Sequence, residues 1–254
     1  MLRLSRYLLV LAFCCAACGG SGTNVVTKNP AAALTAAAQR TAQGKTVKME
    51  LSAKTGSLDV ASGTGAFDFT SKTGRFSLSG ALLSSFELVL TPDKVYVKTP
   101  KGAKPWAALT QADLDKSGSG TLITSIRQQI DPRESLANLG QTTKNVKVIG
   151  TETLRGVATT HVRGDVDLSD AAIAKAPASM QDSLRQARQS INADSYPIDV
   201  WLDHQGRVHR LSYTLNVGQG VQQASTTVQL EFYDFGKDPG IVIPKPADVK
   251  EGLN

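Results

Sequence analysis

Apolar and polar residues alternate one by one along much of this chain. The first clear case is residues 46–52, in which Val47, Met49 and Leu51 are separated by polar residues. Successive side chains of a β-strand point to opposite faces, so this alternation predicts a strand with one buried and one solvated face. The pattern therefore favours β-structure over helix in this part of the chain.

The same alternation recurs in further segments separated by short polar turns. Their apolar members are Phe67, Phe69, Phe76, Leu78, Phe86, Leu88, Leu90, Val95, Val97, Val146, Val148, Val162, Val166, Leu168, Ile198, Val200, Leu202, Leu211, Tyr213, Leu215, Val217, Val228, Leu230 and Phe232. These segments predict about nine to eleven strands. Strands joined by short turns pair antiparallel, and so many strands rarely stay flat, so we predict one sheet that curls its apolar face inward.

Helical periodicity appears first in the alanine-rich residues 31–43. Pro30 suits the first turn of a helix, and Gly44 suits the position just after its end. A second helix is predicted where Leu122, Ile126 and Ile130 recur at spacings of four. It is expected to end at residues 131–132, with a short further helix over residues 134–140.

A third helical region covers residues 169–192. Ser169 is a suitable N-cap, and Met180, Leu184 and Ile191 lie at helical spacing. Pro177 should break this region into two pieces. Helices and an antiparallel sheet together predict the α+β class.

The start of the chain has the pattern of a secretory signal. Arg3 and Arg6 precede an uncharged, mostly apolar run over residues 7–17, which is too short for a permanent transmembrane helix. Residues 15–18 read Cys-Ala-Ala-Cys and resemble a bacterial lipobox, in which small residues precede a cysteine that becomes lipidated. Cys15 stands where that motif usually has an aliphatic residue. An ordinary cleaved signal peptide is the alternative.

These observations divide the chain into three parts. We predict a signal peptide over residues 1–17, a lipidated N-terminus at Cys18 with a flexible tether over residues 18–30, and one domain over residues 31–250. The other cysteines, Cys14 and Cys15, would be removed with the signal, so neither a disulfide within the chain nor a cysteine metal cluster is expected. The predicted location is the outer face of the cytoplasmic membrane.

Composition argues against nucleic-acid binding. The formal net charge is only +6, aromatic residues are 6% of the chain, and basic residues do not cluster with aromatic ones. The modest positive charge is typical of a solvated exterior.

Catalytic and metal-binding motifs are also missing. The three histidines, His161, His204 and His209, form no HExxH sequence, and no GxSxG motif is present. We interpret Asp165, Asp167, Asp199 and Asp203 as carboxylates on solvated strand faces rather than as a metal site. The glycine-rich residues 62–65 and 117–120 lack the features of a phosphate loop and are predicted to be loops. No enzyme activity, metal or cofactor is expected, although a triad built from distant residues stays open.

The order of these segments resembles the actinobacterial lipoprotein family of LppX, LprA, LprF and LprG. The resemblance rests on the helix and strand of residues 36–51, Val95-Tyr96-Val97 followed by Trp106, Asp131-Pro132 with Leu136, the strands around Gly150 and Gly156-Val157 into His161, and residues 197–203. It implies a half-barrel, similar to LolA and LolB, with helices across the concave side of the sheet. Family members bind acylated lipids or glycolipids between sheet and helices and are linked to lipid traffic toward the outer envelope.

The residues alone favour a solid core, and the resemblance implies a cavity instead. A cavity would be lined by Phe67, Phe69, Phe86, Leu88, Leu90, Leu122, Ile126 and Ile130. The function expected from it is a lipid carrier that binds acylated lipid or glycolipid and contacts the cell membrane through Cys18, with a membrane transporter as a candidate further partner. A solid-cored envelope scaffold and a hydrolase are the alternatives.

Overall fold

The fold is described here for residues 25–81, 83–98, 104–110, 112–113, 131–176, 178–217 and 224–252 of a computed structural model. Within these residues the chain forms a single sheet of twelve strands. The strands are β1 (Thr46–Thr55), β2 (Leu58–Asp68), β3 (Thr73–Gly80), β4 (Leu83–Leu90), β5 (Lys94–Lys98), β6 (Trp106–Thr110), β7 (Thr143–Leu154), β8 (Val157–Asp167), β9 (Ser195–Asp203), β10 (Val208–Val217), β11 (Ala224–Tyr233) and β12 (Val249–Glu251).

The sheet is built from two antiparallel meanders. Their strands follow the order β12-β6-β5-β4-β3-β2-β1-β11-β10-β9-β8-β7, so the two meanders meet where β1 pairs with β11. Only β12 pairs parallel, with β6, among these strands. The sheet is open, with β12 and β7 at its edges, which confirms the predicted single, mostly antiparallel sheet.

Strand register brings the predicted inward residues together on the concave face. Met49 of β1 lies opposite Phe232 of β11, and Leu51 lies opposite Leu230. The hydrophobic core is formed on this face, and its members include Val47, Met49, Phe67, Phe76, Leu88, Val162, Val200 and Phe232. The two-residue period of the sequence therefore predicted the inward face of the sheet correctly.

Five helices accompany the sheet in the described residues. They are α1 (Val25–Lys28), α2 (Pro30–Ala42), α3 (Pro132–Thr142), α4 (Asp170–Lys175) and α5 (Ala178–Ile191). The helix predicted over residues 31–43 and the break at residue 177 are confirmed. None of these helices combines the length and the apolar character that would let it cross a bilayer.

Helix α2 begins at Asn29, whose side chain accepts a hydrogen bond of 3.0 Å from the Ala32 N–H. It packs closely against α3, and the Thr35 hydroxyl donates to the Gly140 carbonyl across 3.2 Å. A Cβ atom added at Gly140 would lie 2.8 Å from Thr35 Cα, inside normal contact distance. The missing side chain of Gly140 therefore allows the two helices to approach each other.

The structure corrects three sequence predictions. Leu58–Asp68 is one continuous strand, although residues 62–65 were predicted to be a loop because they are rich in glycine and serine. Strands β6 and β12 raise the total above the prediction, because segments this short leave little alternation to recognise. Finally, Val26 is fully buried in the core, so the last residues of the predicted tether are packed against the domain.

Candidate functional site

An apolar cavity of about 240 Å³ lies between the concave face of the sheet and the start of α3. The described residues that line it are Met49, Leu51, Gly63, Thr64, Gly65, Phe76, Leu78, Pro132, Leu136, Leu211, Leu230 and Phe232. None of these side chains is charged, and Thr64 alone carries a polar side-chain atom. Such a space disfavours ions and strongly polar groups and favours hydrocarbon.

The wall on the sheet side lies where the two meanders meet. Inward residues of β1, β11 and β10 lie side by side there, with Leu51 opposite Leu230 and Leu230 opposite Leu211. On the other side of β1, Gly65 and Gly63 lie opposite Met49 and Leu51. Strand β2 thus presents no side chain at two successive inward positions.

The helix side of the cavity is formed by Pro132 and Leu136 of α3. Asp131 caps this helix by accepting a hydrogen bond of 2.9 Å from the Arg133 N–H. The Arg133 guanidinium also donates to both Asp131 carboxylate oxygens and lies 6.0 Å from the centre of the Phe67 ring. These contacts fix the start of α3 over the sheet. Asp131 therefore begins this helix, whereas the sequence suggested that it ends the preceding one.

None of the predicted cavity residues of the strands is among the described residues that line this cavity. Phe67, Phe69, Leu88 and Leu90 are buried in the core, and Phe86 is partly buried against it. Phe86, Leu88 and Leu90 lie on β4, Phe67 lies near the end of β2, and Phe69 follows that strand. Leu122, Ile126 and Ile130 lie outside the described residues. The alternation predicted which residues point inward but carries no signal for which of them face empty space.

Two tyrosines lie on the concave face near the cavity wall. Tyr213 follows Leu211 by two residues and therefore points to the same face of β10. Its ring centre lies 5.5 Å from that of Tyr196. Burial raises the pKa of the Tyr213 phenol. The pKa of the Tyr196 phenol is raised further, mainly by burial and secondly by the neighbouring Tyr213 phenol. Both phenols are therefore neutral at physiological pH, and this side of the cavity also carries no charge.

Comparison with known proteins identifies the family. Residues 29–240 match the LppX_LprAFG lipoprotein family. The chain belongs to this family. The LprA lipoprotein of Mycobacterium bovis is 29% identical over 121 residues, which are 47% of this chain and 43% of LprA. This alignment therefore spans less than half of that relative.

Two solved structures of the same family are similar to this chain at low sequence identity. The crystal structure of LprF from Mycobacterium bovis is 14% identical, covers 85% of this chain and 96% of its own, and has a TM-score of 0.54. LppX from Mycobacterium tuberculosis is 16% identical, covers 82% of this chain and 97% of its own, and has a TM-score of 0.49. The likeness to LprF agrees with the fold described above.

In this LppX_LprAFG lipoprotein, two histidines do meet carboxylates. His161 Nε2 lies 2.6 Å from Asp199 Oδ1, and its Nδ1 lies 3.3 Å from a Glu152 oxygen. The imidazole stacks on the Trp201 ring with centres 4.2 Å apart. Because Val162 and Val200 point inward, their neighbours His161 and Trp201 lie on the convex face, across the sheet from the cavity.

The second pair lies at the end of β9. Asp203 is fully buried and lies 3.0 Å from His209 Nε2 and 2.7 Å from Arg207 Nε. Burial alone would raise the pKa of Asp203, but the hydrogen bonds from His209 and Arg207 outweigh it and lower the pKa to about 2. The prediction of a solvated carboxylate was therefore wrong for this residue. Its partners Arg207 and His209, four and six residues away along the hairpin, gave no recognisable motif.

Neither histidine forms a hydrolase triad in the described part of the chain. A triad needs a hydroxyl or thiol nucleophile on the second ring nitrogen, whereas both ring nitrogens of His161 face carboxylates. The ring of His209 packs edge-on against Phe235, with centres 5.2 Å apart. Among the described residues, no group of His, Cys, Asp and Glu is arranged to hold a metal ion.

A ladder of charged residues spans the convex face behind the cavity. Arg155, in the turn between β7 and β8, donates to Glu231 across 2.8 Å and to Glu50 across 2.6 Å. Arg210 donates to the other Glu231 oxygen across 2.6 Å and lies 5.2 Å from the centre of the Trp201 ring. Burial alone would raise the Glu231 pKa, but the two arginines hold it below its ordinary value. The ladder connects strands whose inner faces line the cavity.

Proposed function

We propose that this lipoprotein binds an acylated lipid or glycolipid in its apolar cavity and carries it through the cell envelope, anchored to the outer face of the cytoplasmic membrane by a lipid on Cys18. The observation that carries the proposal is the uncharged cavity of about 240 Å³ on the concave face. Membership of a lipoprotein family and the fold shared with LprF support it.

The size of the cavity is suited to hydrocarbon. A designed cavity of roughly 150 Å³ with apolar walls stays dry and binds benzene. At roughly 30 Å³ for a group the size of water, this cavity holds about eight methylene-sized groups. Each buried methylene contributes about 0.8 kcal/mol, so filling it contributes about 6 kcal/mol. That gain offsets part of the cost of removing a lipid tail from a bilayer.

The charges support a binding role rather than catalysis. The histidine–carboxylate pairs lie on the convex face or at the end of β9, and their side chains are held by neighbours within the fold. The described residues that line the cavity include no imidazole and no carboxylate, and the Thr64 side chain lies on the convex face with its partner Glu50. We therefore propose that bound lipid is held and released without chemical change.

The test is native mass spectrometry of the full chain carrying Cys18→Ala, so that it is recovered without detergent, followed by extraction of copurifying lipid. We expect bound lipid in this protein. Leu211→Trp should fill the cavity and remove most of the lipid, whereas Leu58→Trp, at a position that is 56% exposed, should leave it unchanged.

The contrary result is equally clear. In that case the protein carries no lipid and takes none up from phospholipid vesicles, and Leu211→Trp destabilises it through overpacking. These results together would show a solid core. That outcome would replace the carrier with the envelope scaffold.

A further inference from the structure

The inward face of β2 lacks side chains where it lines the cavity. Its inward positions run Phe67, Gly65, Gly63 and Ala61, as their pairing with the inward residues of β1 shows. Phe67 is buried in the core, whereas the two glycines line the cavity. The cavity therefore lies above the part of the strand that has no side chains.

Backbone conformation does not require glycine at these two positions. Neither has a positive φ, so an L-residue could adopt the same backbone. Glycine inside a strand also weakens it, because glycine loses more conformational freedom on folding and has no side chain to pack. These two glycines therefore need another explanation, and the space around them supplies one.

Side chains of the next strand occupy the space above both glycines. A Cβ atom at Gly65 would lie 2.4 Å from Phe76 Cδ1 and 2.8 Å from Phe76 Cε1. A Cβ atom at Gly63 would lie 2.4 Å from Leu78 Cδ2 and 2.7 Å from the Ser77 carbonyl oxygen. Phe76 and Leu78 thus lie down over the glycines, and both of them line the cavity. A side chain on either glycine would force its neighbour away from the strand.

We infer that Gly63 and Gly65 determine the specificity of the proposed lipid site, by letting Phe76 and Leu78 lie flat and so setting how deep a single linear acyl tail can enter. The inference rests on the proposed function. With room for about eight methylene-sized groups, the described cavity holds the end of one tail. Larger residues at these positions would push the ring or the leucine into the space that the tail occupies.

A purely structural explanation makes a different prediction. An aromatic ring lying over a cross-strand glycine also stabilises a sheet. In that case Gly65→Ala would lower stability and would weaken the binding of short and long tails alike. If the glycines set how deep a tail can enter, Gly65→Ala should instead weaken the binding of long tails more than that of short tails.

The experiment measures binding of hexanoic, octanoic and lauric acid by the full chain carrying Cys18→Ala, since these tails range from shorter to longer than about eight methylene-sized groups. Gly65→Ala should weaken lauric acid binding about tenfold, as expected from displacing about two methylene groups, and should affect hexanoic acid much less, because its tail does not reach the displaced positions. Gly65→Ala with Phe76→Leu should restore lauric acid binding, because the smaller side chain leaves room for the new methyl group. Gly150→Ala, on another strand of the sheet, is the matched control, since a Cβ there meets no atom within 4 Å.

Phe76→Leu alone keeps the inference testable if Gly65→Ala does not fold. It should deepen the cavity and increase the preference for lauric over hexanoic acid. Unchanged chain-length preference in both Phe76→Leu and Gly65→Ala would overturn the role of the glycines while leaving the proposed function intact. Wild-type protein that binds none of the three acids would contradict the proposed function itself.

Discussion

Asp203 shows how one buried carboxylate can organise a hairpin. Its Oδ1 accepts from the backbone N–H groups of Gln205 and Arg207, and its Oδ2 accepts from the Arg207 and His209 side chains. All of these partners lie within six residues of Asp203 along the chain. A charge with no exposure to water is tolerated in the fold because four donors replace its hydration.

The pKa of Asp203 leads to a prediction about acid stability. Its pKa falls from 3.8 to about 2 on folding, so the ionised form stabilises the native state by about 2 kcal/mol. A lowered pKa contributes stability above pH 3.8, and this contribution is lost as the pH falls toward 2. Urea unfolding across this range should show the loss. The pKa of Asp167 is also lowered to about 2, mainly by its hydrogen bond with Lys144, so Asp167 should add to this loss of stability.

Asp203→Asn separates the contribution of Asp203 to acid-dependent stability from that of Asp167. The amide cannot match the charged hydrogen bonds, so we expect a loss of about 1–3 kcal/mol at neutral pH. The stability of this variant should then fall less steeply with acid than that of wild type. An unchanged slope would show that Asp203 is not the group that titrates.

At the scale of elements, the contact between α2 and α3 depends on Gly140. An added Cβ would meet Thr35 Cα at 2.8 Å and the Leu34 carbonyl oxygen at 2.9 Å. Both are backbone atoms, so neither can rotate away as a side chain could. Because Leu34 and Leu136 are core residues on the two helices, separating the helices would disturb the core as well.

Gly140→Ala should therefore destabilise the protein, although alanine favours helix formation. We expect a loss of about 1–3 kcal/mol, typical of overpacking, measured by chemical denaturation. Gly150→Ala should change stability by less than this, since its added methyl group meets no neighbour. A stability gain in Gly140→Ala would show that the helices move apart at little cost.

The elements that the sequence predicted well are those with a long, regular pattern. The strands β1, β4 and β9 were predicted from their alternation, and the helices α2 and α4 from the residues at their ends. Both signals depend only on residues that are close together in the sequence. Strand β2 was predicted only in part, because a strand with Gly63 and Gly65 looks like a loop unless its neighbours are known. Those neighbours, Phe76 and Leu78, become visible only through the register of β2 and β3.

The inward face of the sheet was predictable from the residues, but the cavity was not. Inward-pointing residues such as Leu51, Leu211 and Leu230 could be recognised from the two-residue period. Whether an inward residue meets another side chain or a space depends on how α3 crosses the sheet, and no local pattern encodes that crossing. The five strand residues predicted as cavity walls pack in or against the core and do not line the described cavity.

At the scale of the whole molecule, the two faces of the sheet have different tasks. Strands β1, β11 and β10 present Leu51, Leu230 and Leu211 to the cavity. The alternate residues Glu50, Glu231 and Arg210 belong to the charged ladder on the convex face. Because the ladder connects neighbouring strands, it opposes the separation of these strands.

The proposed anchor places this domain close to a membrane. From Cys18 to the start of α1 the chain has about seven residues, which extend to about 25 Å at most. Val26 is fully buried, so the chain is held by the domain soon after this short segment. A carrier tied this closely would keep its cavity within reach of the bilayer surface.

The anchor itself is tested by Cys18→Ala in the full chain. Without the sulfur there is no site for the acyl groups, so labelling with a radioactive fatty acid should disappear and the protein should leave the membrane fraction. Cys15→Ala is the matched control, and it should keep both the label and the membrane location because the proposed cleavage before Cys18 removes Cys15. Label that persists in Cys18→Ala would show that the lipid is attached elsewhere, and membrane retention without label would indicate an uncleaved signal peptide. Release with complete loss of label, seen only for Cys18→Ala, would establish that the lipid on this residue holds the carrier at the membrane.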